Sequence, residues 1–72
     1  MTHYTLADLE MADRHVAHGE QHIARQEMLL TSLQLKGYQT KDAVALLKLL
    51  NEAQAEHRAH RDAIAAALDR SA

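Results

Sequence analysis

The apolar residues of this chain fall into two stretches of helical period separated by a short polar break. In "LADLEMADRHVAHGEQHIARQEMLLTSLQLK", Leu9, Val16, Ile23 and Leu30 recur at heptad spacing, interleaved with Ala12, Gly19, Gln26 and Leu33. Alternating four- and three-residue steps turn one stripe of a helix toward a single neighbour. Beside it runs a second stripe: Met11, His15, His18, His22, Leu29 and Leu33. After the break, Leu46, Leu47, Leu50, Ala53, His57, His60, Ile64, Ala67 and Leu68 fall on one side of a second helix, and Leu49 widens it. Each helix carries more apolar width than one neighbour can cover.

The break itself is well marked. Thr5 is placed to N-cap the first helix, with Asp8 completing a capping-box-like start. Gly37 suits the left-handed residue of a helix C-cap, and Tyr38 can fold back on Leu33 as a Schellman motif requires. Thr40 then caps the second helix, with Asp42 in its first turn opposing the helix dipole. The pattern predicts one domain over 1–72: a helix at about 6–36, a turn at 37–40 and a helix at about 41–70. Helices of about 30 residues run roughly 45 Å, and so short a connection makes them antiparallel. The expected fold class is an all-α antiparallel two-helix hairpin. Its second stripes would stay wet in a monomer, so two hairpins are expected to pair into a four-helix bundle. That homodimer interface is assigned to Met11, Leu29, Leu33, Leu46, Leu49, Leu50 and Ile64.

Composition narrows the function classes. The 72 residues include no cysteine, so neither disulfides nor thiolate ligation can reinforce the fold. Eight basic and ten acidic residues are spread along the chain for a formal charge of −2, which gives no reason to expect nucleic acid. No apolar run approaches the roughly 18 residues of a membrane span, and "MTHYTLADLE" lacks the basic-then-apolar pattern of a signal peptide. A cytoplasmic protein without a membrane partner is expected. The sequence has no glycine-rich phosphate loop, its only serines are Ser32 and Ser71, and a slender hairpin offers no deep pocket. The expectation is a non-enzymatic interaction or regulatory module, with no catalytic residues and no cofactor.

The histidines are the remaining chemistry. "HVAHGEQH" and "HRAH" hold five of the six. A hairpin closing between Lys36 and Lys41 would set His57 level with Glu20 and His60 level with Ala17. His15, His18, His22, His57 and His60 would then share one slab, with His3 apart. Neutral imidazoles from both helices suit zinc, copper or nickel, so these five are the candidate metal set. Metal binding is the alternative to the interaction module. The Glu-x-x-His pattern of di-iron bundles is absent, since Gly19 and Gln54 stand where glutamates would be. If the same imidazoles line an interface, protonating several of them as pH falls through about 6 would weaken assembly. In the plainest reading they fill the margin of a helix contact. Gly19 and Ala12 read as close-approach points, Gln26 and Gln54 as polar residues fixing register. Arg14, Arg25, Arg58 and Arg61, which have acidic neighbours, read as solvated or ion-paired.

The strings "ADRHVAHGEQHIARQ", "GYQTKDAVALL" and "HRAHRD" resemble a group of short uncharacterised bacterial helical-hairpin proteins with an R-H-V-A-x-G-E-x-H-I-x-x-Q core, a G-[HY]-x-T turn and a late histidine. The likeness spans positions 13–62. It implies a small helical hairpin and directs attention to Arg14, His15, Gly19, Glu20, His22, Gln26 and His57. Tyr38 stands where the pattern more often has histidine. No activity or ligand comes with the resemblance.

Overall fold

A computed structural model describes residues 3–71. It contains two α-helices, α1 (Leu6–Leu35) and α2 (Lys41–Ser71), packed along their lengths as an antiparallel hairpin. The molecule is a rod of 55 × 15 × 12 Å.

Local chemistry sets both ends of α1. The Thr5 hydroxyl accepts the Asp8 N–H at 3.2 Å, and Asp8 Oδ2 accepts the Thr5 N–H at 2.8 Å. This reciprocal box satisfies two N–H groups that the first turn cannot pair internally. At the other end Gly37 takes φ +74°. The Tyr38 N–H reaches back to Leu33 O at 3.0 Å and the Gly37 N–H to Gln34 O at 3.1 Å. These are the two bonds of a Schellman cap. Thr40 opens α2 differently from expectation. Its carbonyl accepts the Val44 N–H at 2.8 Å, but among the described residues its hydroxyl makes no hydrogen bond. Asp42 does lie in the first turn of α2, where a carboxylate offsets the positive end of the dipole.

The inner seam of α1 is the first heptad stripe. Leu9, Ala12, Val16, Gly19, Ile23, Gln26, Leu30 and Leu33 are all buried or half-buried. Its counterpart on α2 follows the same spacing through Ala43, Leu47, Leu50, Gln54, His57, Arg61, Ile64 and Leu68, again all at least half-buried. The broad apolar side anticipated for the second helix is thus split. Leu47, Leu50, Ile64 and Leu68 turn inward, whereas Leu46, Leu49, Ala53 and His60 stay exposed.

Two glutamines lock this seam reciprocally. Gln26 on α1 donates to Ala43 O on α2 at 2.9 Å, and Gln54 on α2 donates to Val16 O on α1 at 2.8 Å. Both side chains are buried. A carboxamide bonded to the opposite backbone holds register more strictly than a leucine in the same slot, because sliding the helices breaks the bond. Gly19 makes room for one of them. A Cβ there would collide with Gln54 Oε1 and lie 2.6 Å from Cδ. The glycine Cα–H vector therefore points at Oε1, a buried acceptor with no conventional donor. A weak C–H···O contact, of the kind that recurs where helices approach closely, meets it instead.

Candidate functional site

At 100° per residue, Met11, His15, His18, His22 and Leu29 form a stripe about a quarter-turn from the inner seam of α1. Helical spacing puts Leu46, Leu49, Ala53 and His60 on one flank of the α2 seam. Two shallow recesses show that the stripe of α1 adjoins this flank at Ala53 and His60. One, of about 240 Å³, is lined by His15, His18 and His22 from α1 and by Leu50, Ala53 and His57 from α2, with Gly19 and Gln54 as its floor. The second, of about 280 Å³, lies nearer the chain ends between Met11, Ala12 and His15 and the α2 residues His60 and Ile64, with His3 and Tyr4 beside them.

The register differs from the level placement expected for a turn centred between Lys36 and Lys41. Gln26 meets Ala43, and His15, rather than Glu20, meets His57. Residues 38–40 belong to neither helix and run back beside the last turn of α1 before α2 begins. This carries every α2 residue toward the α1 N-terminus. The candidate metal set divides as a result. The rings of His15 and His57 lie 5.7 Å apart, centre to centre, at 53°. His18 and His22 line the same recess from α1 alone. His60 leaves the recess of His18 and His22, shares the second recess with His15 and packs edge-on against Tyr4, 6.4 Å between ring centres. Among the described residues no three His, Asp or Glu side chains converge as a metal would require. His57 is half-buried and the other four are exposed.

The residues assigned to an intermolecular interface also divide. Ile64 is 1% exposed and belongs to the hairpin's own core, where no second copy can reach it. Leu33 and Leu50 are half-buried in the inner seam. Met11, Leu29, Leu46 and Leu49 remain on the surface, 46–60% exposed. The opposite flank is more polar. Arg58 and Glu20 form an exposed pair there at 3.7 Å, a contact worth at most about 1 kcal/mol. Arg61 instead lies in the inner seam and pairs with its neighbour Asp62 at 3.0 Å, a placement the charge pattern did not reveal. Heptad counting from Ala43 would have found it.

No family model matches this chain, and neither a curated protein nor a solved structure is significantly similar to it. Among the described residues no helix is long and apolar enough to cross a membrane.

Proposed function

We propose that the chain is a non-enzymatic interaction module that works as a homodimer, two hairpins joining through the histidine-bearing face into a four-helix bundle. The observation that carries this reading is the face on which Met11, Leu29, Leu46 and Leu49 stay exposed around His15, His18 and His22. Soluble monomers rarely leave such a patch uncovered. Area supports the same partner. The single chain exposes 5581 Å² at a mass of 8.1 kDa, whereas a compact monomer of that mass exposes about 4,500 Å². The excess, roughly 1,100 Å², exceeds the about 800 Å² that each side contributes to an interface of standard size. A second copy is the occupant that matches the face to itself, apolar stripe against apolar stripe, under two-fold symmetry.

Paired substitutions on the two flanks test this. Leu29→Glu with Leu49→Glu places charge in the proposed interface, and light scattering after size exclusion is expected to find a helical monomer. Met28→Glu with Leu35→Glu alters still more exposed apolar residues outside that face and is expected to leave the dimer intact. Dissociation by the second pair and not the first would sink the assignment of this face.

A further inference from the structure

Of the five histidines in the candidate metal set, the fold brings two rings together from different helices. We propose that His15 and His57 form a two-imidazole clamp for a zinc-class divalent ion, closing across the hairpin at the mouth of the recess floored by Gly19 and Gln54. The ion is held by one neutral nitrogen from each ring. With no third His, Asp or Glu in place among the described residues, water fills the positions that the second copy of the proposed dimer leaves open.

Geometry favours this pair. Zinc–nitrogen bonds of about 2.0–2.1 Å at a tetrahedral angle put two imidazole centres about 5–5.5 Å apart. His15 and His57 stand at 5.7 Å before any ion is bound, close to that separation. The rings are tilted at 53° and are not stacked. Among the described residues neither ring is committed to a hydrogen bond, and no carboxylate forms an ion pair with either. Their lone pairs are therefore available, and borderline ions such as zinc suit imidazole. The backbone beneath is held by the Gln54 bond to Val16 O, one residue from His15, so the two ligands sit beside one of the two bonds that fix register. His18 and His22 share the recess but make no ring contact across it. His60 faces Tyr4 instead.

The clamp lies within one hairpin, so it does not depend on two copies pairing. Calorimetric titration of the tag-free chain with zinc chloride is the test, with helicity of each variant read by circular dichroism. One ion per hairpin is expected, in the micromolar range, because two ligands without outer-shell support bind modestly. His15→Gln and His57→Gln, each still helical, are expected to weaken binding by at least about tenfold, the scale on which even outer-shell partners act. His60→Gln and the double change His18→Gln with His22→Gln are expected to leave it unchanged. In the wild type, the imidazole proton resonances of His15 and His57 should move together as zinc is added. Undiminished affinity in His57→Gln, loss of binding in the His18/His22 double variant, or no binding at millimolar zinc would each overturn the proposal.

Discussion

The inner seam and the histidine face run side by side along the same two helices, yet they are built to different standards. In the seam, Ala12 and Gly19 alternate with Leu9, Val16 and Ile23 along α1, and both glutamines find a backbone carbonyl across the gap. Gly19 is shaped to the oxygen of one of them. On the face, leucine, methionine and histidine are similarly periodic, but Met11, Leu29, Leu46 and Leu49 stay about half-exposed. The hairpin alone completes the seam, and on the proposed reading the second copy completes the face. Specific, directional contacts belong to the interface that must hold register. The outer one is defined by apolar area.

Truncation at each interface should separate them most sharply. Ile64→Ala removes a side chain that is almost wholly buried in the seam, and is expected to destabilise by about 2–5 kcal/mol. Thermal unfolding should register this loss at every protein concentration. Leu49→Ala, on the outer face, should instead show its loss as a stronger dependence of the midpoint on concentration, because it acts on association. Similar concentration dependence in both variants would erase the distinction between the two interfaces.

Gly19→Ala gives the next effect. In an exposed helix this change stabilises by about 1 kcal/mol through propensity. Here the added methyl would meet the Gln54 carboxamide, and overpacking of that kind costs about 1–3 kcal/mol. Net destabilisation by denaturant titration is the expected sign. A more stable Gly19→Ala would mean that the helices do not approach at this point.

A smaller effect is expected at the turn, which lies outside both interfaces. Gly37→Val forces a β-branched residue into a left-handed conformation, at roughly 1–2 kcal/mol. Lys36→Ala, one residue earlier and exposed, should change the unfolding midpoint little. Equal melting of the two would contradict the Schellman cap.

Much of the seam was legible in the sequence because it is local. Heptad steps through Leu9, Val16, Ile23 and Leu30, the Thr5–Asp8 box and Gly37 each declare themselves within a few residues. Gly19 and Gln54 were recognisable as a close approach and a polar lock, though not as partners of one another. Register was not legible. It depends on how residues 38–40 return along α1 and on where the Gln54 carboxamide seats, and a level pairing across the turn therefore placed His57 and His60 too close to the turn. The site follows the register: five histidines on one stripe per helix became one cross-helix pair, two neighbours on α1 and His60 packed against Tyr4.

The central claim is that the second interface is completed by another copy of the chain. Sedimentation equilibrium on the wild-type protein at micromolar concentration tests it most directly. The account predicts a particle of twice the 8.1 kDa chain mass, reverting toward the single-chain mass on dilution. A well-folded particle that keeps the single-chain mass up to millimolar concentration would contradict it.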